Sequence, residues 1–245
     1  MDQGQAGREP LVKKYNTLTI YVEGGNRDSR AALIICQRAF KTFLERAGLP
    51  SRSFSVEACA SGGQAYDDFC FALQNGENAL LLVDSEEPVP SHGPANRPVP
   101  AWQHLADRAG DRLARPADAA DEQAHLMVPT MEAWFLADRT RLAAYYRGPY
   151  GRETFNENAL PKRKDVEAVS KMDIEAALAN ATRPNHTKGL YHKGRHSFEI
   201  LETLDPKVVA PASYHLRRLL CHLKQVLQAA ATMGWLDCAE FVPVA

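Results

Sequence analysis

The sequence predicts an α/β fold, a central parallel sheet with flanking helices and a mostly helical C-terminal part. Three observations carry this. Short apolar runs rich in β-branched and aromatic residues stand at 17–23, 54–60 and 79–84. Stretches of helical periodicity separate them, so the order reads βαβαβ, which calls for parallel strands joined by right-handed crossovers. The third run, A-L-L-L-V-D, is apolar without alternation, as expected of a strand covered on both faces.

Residues 1–14 are polar and read as a flexible tail. Residues 15–140 carry the core, and 141–245 an extension packed on it. Thr17–Glu23 is the first strand, and Gly24-Gly25-Asn26 turns the chain. Ser29 or Asp28 suits the N-cap of a helix that runs to about Ala47. Its inward face holds Ala32, Ile35, Cys36, Ala39, Phe43 and Leu44. Gly48-Leu49-Pro50 ends it, because glycine accepts a left-handed cap and proline cannot continue the helix. Phe54–Ala60 is the second strand. Ser61-Gly62-Gly63 opens a helix with Ala65, Phe69, Ala72 and Leu73 inward, and Asn75-Gly76 closes it.

After the third strand, Glu87–Pro100 is rich in proline and glycine and reads as a long loop beside the strand ends. Trp102–Ala109 is a short helix and Ala124–Val128 a fourth strand, followed by helical Met131–Asp138. The pattern weakens from about Leu142. Pro161–His196 carries more basic than acidic residues. Ser213–Met233 is an amphipathic helix with a stripe from Leu216 to Leu227, which serves either the core or a dimer surface.

The chain has 245 residues and a formal net charge of −1 at pH 7. No global basic field exists, so any nucleic-acid binding must come from a local patch. The five cysteines (Cys36, Cys59, Cys70, Cys221 and Cys238) are scattered, without a C-x-x-C pair, and read as buried reduced thiols. No apolar run is long enough to span a bilayer and no signal segment is present, so a soluble cytoplasmic protein is expected.

Two strands end on acids: the first on Glu23, the third on Asp84 with Glu86 two residues on. In a parallel α/β sheet, ligands bind at the carboxyl ends of the strands. If the two strands are neighbours, three carboxylates meet, and crowded carboxylates repel or protonate unless a cation relieves them. Oxygen ligands without cysteine or a histidine set suit Mg²⁺ or Mn²⁺. Taken singly, an acid after a strand is equally an N-cap or a solvated loop residue.

Strand-Glu-Gly followed by strand-Asp-x-acid in a βαβαβ setting resembles the Toprim domain of topoisomerases, primases and OLD-type nucleases. Its signature is a glutamate after the first strand and D-x-D after the third. Here Glu86 replaces the last aspartate, which keeps the charge and lengthens the arm. Y-V-E-G-G, L-L-V-D-S-E, H-L-M-V-x-x-M-E-A-W-F-L-A-D and Y-H-K-G-x-H-S-F-E-I-L together resemble a bacterial Toprim-like family long catalogued as a domain of unknown function. That family includes the effector nucleases of PARIS-type anti-phage defence, and the resemblance spans about residues 17–220. It implies a Toprim-like, Rossmann-like fold and a Mg²⁺-dependent (or Mn²⁺-dependent) nuclease acting on RNA, possible tRNA included, or on DNA. It also implies an ABC-type ATPase partner encoded nearby, a homodimer, a bacterial cytoplasmic location and no membrane.

On this reading Asp84 and Glu86 bind the metal, and Glu23 either completes the site or acts as general base. Gly24, Gly25, Gly62 and Gly63 offer backbone N–H groups to phosphate, or simply turn the chain. Glu132 is a further acid at the rim, or a charge favoured by a helix N-terminus. Lys188, Lys193, Arg195 and His196 form a basic cluster that contacts phosphate or is solvated loop, with Lys193 the candidate for transition-state charge. His192 and His196 stand four apart, but Gly194 lies between them and a third ligand is lacking, which argues against zinc. Trp102 and Trp134 belong to the core rather than to a base-stacking surface.

Two other functional classes compete with the nuclease. One is a catalytically inert Toprim-like subunit that binds or regulates an ATPase. The other is a receiver-type phosphoacceptor at Asp84, disfavoured because the first strand offers one acid rather than a pair.

Overall fold

The computed structural model describes residues 17–25, 29–89, 99–148, 150–151 and 153–241. The expected tail at 1–14, the alternative cap Asp28 and most of the loop expected at Glu87–Pro100 lie outside the described residues.

Four strands form one parallel sheet: β1 (Leu18–Glu23), β2 (Phe54–Cys59), β3 (Ala79–Asp84) and β4 (Ala124–Met127), in the order β2-β1-β3-β4. Ile20 pairs with Val56 on one side and with Leu80 on the other, and Leu82 pairs with His125. The α/β expectation holds, with strand ends within one or two residues of those read from the sequence. The two acid-terminated strands, β1 and β3, are direct neighbours, so their carboxyl ends share one edge of the sheet.

Helix α1 (Arg30–Ala47) is capped by Ser29, whose side chain accepts the N–H of Ala32 at 3.2 Å. It ends at Gly48 in the left-handed region, φ 110°, where the backbone N–H bonds the carbonyls of Glu45 and Leu44. Its buried stripe is Cys36, Ala39, Phe40, Phe43, Leu44 and Ala47; Ala32 and Ile35 sit at the boundary. Helix α2 (Gly62–Gln74) starts at Ser61, which accepts the N–H of Gln64, and buries Ala65, Phe69 and Ala72.

The unbroken apolar run of β3 has a direct cause. Leu80 and Leu82 enter one core, while Ala79, Leu81 and Val83 enter another on the opposite face. The second core is closed by α2 and α3 (Ala101–Asp107), where Trp102 lies against Phe69. The first and larger core lies under α1 and the C-terminal helices. These are α4 (Ala133–Ala137), α5 (Arg139–Arg147), α6 (Lys171–Thr182), α7 (Arg195–Leu201), α8 (Pro206–Val209) and α9 (Tyr214–Val226). Trp134 is buried there, its ring stacked on Phe43 at 5.3 Å, so both tryptophans serve packing as expected.

Two expectations need correction. The closing helix stops at Val226 rather than near Met233, because Gln228 adopts a left-handed φ of 52° and turns the chain so that Met233 and Leu236 enter the core. The Leu216–Leu223 part of its stripe is core. Nor are all five cysteines reduced: Cys221 and Cys238 form a disulfide, while Cys36, Cys59 and Cys70 are free. The pairing joins α9 to the segment that folds back over it, a contact between residues 17 apart in sequence that carries no local signal. Among the described residues, no helix is long and apolar enough to cross a membrane.

Candidate metal centre

Glu23 is the last residue of β1 and Asp84 the last of β3. The Oε2 of Glu23 accepts the backbone N–H of Asp84 at 3.1 Å. The backbone of Gly62, at the start of α2, lies beside the same carboxylate and favours its charged form. A Cβ at Gly62 would stand 2.9 Å from that same oxygen and 3.4 Å from Nη2 of Arg108. Glycine at 62 therefore permits the carboxylate of Glu23 to lie against the helix start. Gly63, the other glycine of that turn, faces open space.

The first turn is committed in a similar way. The N–H of Gly24 bonds the carbonyl of Cys59 at 2.8 Å, and a Cβ there would meet Cys36 Sγ at 2.9 Å and the Phe198 ring at 3.2 Å. Gly25 has φ 110°, a conformation that L side chains rarely adopt.

Asp84 is buried. Its Oδ1 accepts the N–H of Met131 at 3.0 Å, and its carbonyl accepts Nη1 of Arg108 at 2.5 Å. Burial, then the charges of Glu23 and Glu132, hold its carboxyl well above the ordinary range, against the pull of Lys193 and the Met131 N–H. Glu23 is also raised, by burial first and by Glu86, although the Asp84 N–H and Arg108 oppose this. In both, burial disfavours the charged form first, and the neighbouring carboxylates add to it.

Glu86 completes the group. It has a left-handed φ of 69°, its N–H bonds the carbonyl of Pro129 at 2.8 Å, and its carboxylate pairs with the ammonium of Lys171 from the first turn of α6. One carboxylate oxygen from each of Glu23, Asp84 and Glu86 lies within 4.8 Å of the others. Among the described residues this is the cluster of three or more acid, histidine or cysteine side chains able to converge on one ion.

The segment around α7 covers the acids. Glu132, at the N-terminus of α4, is buried and accepts the Tyr191 hydroxyl at 2.8 Å and the Ser197 hydroxyl at 3.3 Å. Lys193 Nζ stands 3.8 Å from the other Glu132 oxygen. Burial alone would lower the lysine, but Glu132, Asp84, Glu175 and Glu86 outweigh it and raise its pKa, so it stays charged. The basic cluster read from the sequence divides here. Lys193 turns towards the acids. Lys188 lies over the Tyr145 ring at 3.9 Å, Arg195 pairs with Glu199 at 2.5 Å, and His196 Nδ1 is 3.3 Å from the Tyr146 hydroxyl. His192 and His196 have their rings 4.3 Å apart.

Sequence reasoning missed Arg108, Lys171, Tyr191 and Ser197. Arg108 had a faint signal, an arginine ending an apolar helix with Asp111 three residues on. In the fold that aspartate grips its guanidinium at 2.7 and 2.8 Å and aims it at the end of β3. The other three reach the acids across at least 59 residues of chain, beyond any local pattern.

The donor set fits a small hard divalent cation. It consists of oxygen only, is partly buried, and is short of positive charge in the protein alone. Residues 22–224 match the family described as a domain of unknown function (DUF4276), and the chain belongs to that family. No curated protein and no solved structure matches the chain.

Proposed function

We propose that the protein is a metal-dependent nuclease of the Toprim type, hydrolysing phosphodiesters of RNA, tRNA included, or of DNA. The observation that carries this is the convergence of Glu23, Asp84 and Glu86 at the ends of two adjacent parallel strands. Those three residues would hold Mg²⁺ or Mn²⁺. A bound ion supplies the charge that polarises a phosphoryl oxygen and lowers the cost of attack by water. The chain contributes the rest. Where Glu23 does not itself ligate the ion, its carboxylate would accept a proton from the attacking water. Lys193 keeps an ammonium beside the acids, where a phosphoryl group gains negative charge. Arg108 and the Met131 N–H fix the main chain and carboxylate of Asp84, so the site is organised before a ligand arrives. The resemblance to PARIS-type effectors supports a role in anti-phage defence with an ABC-type ATPase partner.

One observation favours a second reading, an inert subunit that binds or regulates such an ATPase. Lys171 already places an ammonium on Glu86, so part of the negative charge is met from within. Titration with Mg²⁺ and Mn²⁺ by calorimetry, and cleavage assays on total RNA and single-stranded DNA, separate the two. The nuclease reading expects metal binding and cleavage, both lost in Glu23→Ala and Asp84→Ala. Cleavage that survives both substitutions would sink it, and metal binding without cleavage of any nucleic acid would leave the inert subunit.

A further inference from the structure

We propose that His104 is a positioning residue of the acid cluster: its ring N–H holds the Ser85 carbonyl, and with it the left-handed turn that directs Glu86 towards Glu23 and Asp84. This rests on the metal-binding part of the proposed function and not on the cleavage step.

The turn is strained at one residue. Glu86 has a φ of 69°, in the region that favours glycine, and a longer side chain stays there only where its surroundings hold it. The angle φ relates the preceding peptide to the Cα that carries the carboxylate arm. Whatever fixes the Ser85–Glu86 peptide plane therefore sets where that arm points.

This peptide is held at both ends. Its N–H, from Glu86, bonds the Pro129 carbonyl at 2.8 Å. Its carbonyl, from Ser85, lies 2.9 Å from His104 Nε2. A carbonyl oxygen only accepts, so Nε2 carries the proton. Turning the plane would break both bonds together. Ser85 is itself buried, with its N–H on the Met127 carbonyl at 2.9 Å and its hydroxyl on the Glu87 carbonyl at 2.6 Å. Lys171 meets the far end of the Glu86 arm, whereas His104 governs its root.

The helix that carries His104 is firmly seated. Trp102 and Leu105 of α3 are buried in the second core, and the Trp102 indole N–H bonds the Ala120 carbonyl at 3.0 Å. Arg108, four residues after His104 and so on the same side of the helix, takes the carbonyl of Asp84 at 2.5 Å. Two successive carbonyls at the end of β3 are thus gripped by side chains one helical turn apart. A histidine present for packing alone would need no donor at Nε2, and the test reads that difference.

The full chain is measured in two ways. Mn²⁺ affinity is followed by electron paramagnetic resonance, and exchange of the Glu86 amide proton by NMR in EDTA, without metal. His104→Leu keeps bulk and helix propensity but has no donor. His104→Gln brings an amide N–H to the place of Nε2, and the shorter His104→Asn does not. His104→Leu is expected to bind Mn²⁺ about 10–100-fold more weakly, the usual effect of removing a group that orients a ligand. Its Glu86 amide should exchange about tenfold faster, because the turn opens locally. His104→Gln should regain most of both losses, and His104→Asn neither. Where the wild type binds Mn²⁺, either quantity unchanged in His104→Leu overturns the proposal. So does His104→Gln behaving no better than His104→Asn, a comparison that decides alone should His104→Leu fail to fold. The two readings fail separately. Faster exchange in His104→Leu, with no Mn²⁺ bound by the wild type, removes the metal centre and keeps the hold on Glu86. Mn²⁺ bound equally by wild type and His104→Leu removes the role of His104 and keeps the metal centre.

Discussion

Glu23 Oε2 accepts the main-chain N–H of Asp84 at 3.1 Å. The acid that ends β1 thus registers the strand that carries the next acid, and the bond holds two carboxylates close in spite of their repulsion. Both have raised pKa values, with burial the first cause in each. The site accepts this cost in the absence of a ligand, and its response to protons and cations follows.

For a carboxyl raised in the folded state, the folded protein holds more protons than the unfolded chain above the ordinary value of about 4. The stability tied to Glu23 and Asp84 is therefore full below that pH and is lost as pH climbs through their raised values. In EDTA, Asp84→Asn should melt above the wild type, and the gap should widen from about pH 4 to about pH 7. Mg²⁺ should close the gap by stabilising the wild type alone. Thermal melts across that range check this, and a gap that does not change with pH would refute it.

Gly62→Ala should separate folding from ligand binding. Where the backbone tolerates it, such a change stabilises by about 0.4–1 kcal/mol. Here the added methyl lies 2.9 Å from Glu23 Oε2, so the carboxylate must move. Melting temperature should stay near wild type, while Mn²⁺ affinity by calorimetry falls about 10–100-fold, the usual effect of disturbing a group that orients a ligand.

Lys171 competes with any cation for Glu86. The pair is about a third exposed on both sides, 30% and 38%, so its worth is at most about 1 kcal/mol. Lys171→Met should raise Mg²⁺ affinity roughly twofold to fivefold. Unchanged or weaker binding would mean that the ammonium does not stand in the way of the ion.

Glu132 and Lys193 should behave differently although they are paired. Glu132→Ala strips the acceptor from the Tyr191 and Ser197 hydroxyls, which lie 2.7 Å apart and keep only each other, at a cost of about 1–3 kcal/mol where water cannot replace the lost bond. It should lower the melting temperature. Lys193→Met removes a half-exposed ammonium and should leave melting nearly intact, while any cleavage rate falls about 10²–10³-fold. Equal loss of stability in both variants would argue that Lys193 is structural.

The sheet was legible because its signals are local. Thr17–Glu23 and Ala79–Asp84 each hold a strand pattern and its terminal acid within a few residues, and Ser29 and Gly48 mark the ends of α1 by their own chemistry. Glu23, Asp84 and Glu86 were legible once those strands were taken as neighbours. Glu132 and Lys193 were legible only as candidates, since nothing near Glu132 in sequence names Tyr191 or Ser197 as its donors. Lys171 reaches the acids from a helix with no distinguishing pattern, and Arg108 offers only the faint signal of Asp111 three residues on. The short helix at Arg195–Leu201 was hidden behind Gly194, whose φ of 102° sets the chain direction into it.

The order in which the site's parts occur along the chain has a consequence during synthesis. Glu23, Asp84 and Glu86 precede residue 90, but Lys171, Tyr191, Lys193 and Ser197 come much later. A nascent chain that has emerged as far as β4 carries its three clustered acids with neither lysine to balance them. The centre is finished only when α7 leaves the ribosome, so a product terminated after β4 has the acids and Arg108 without Lys171, Lys193 or the hydroxyls that hold Glu132.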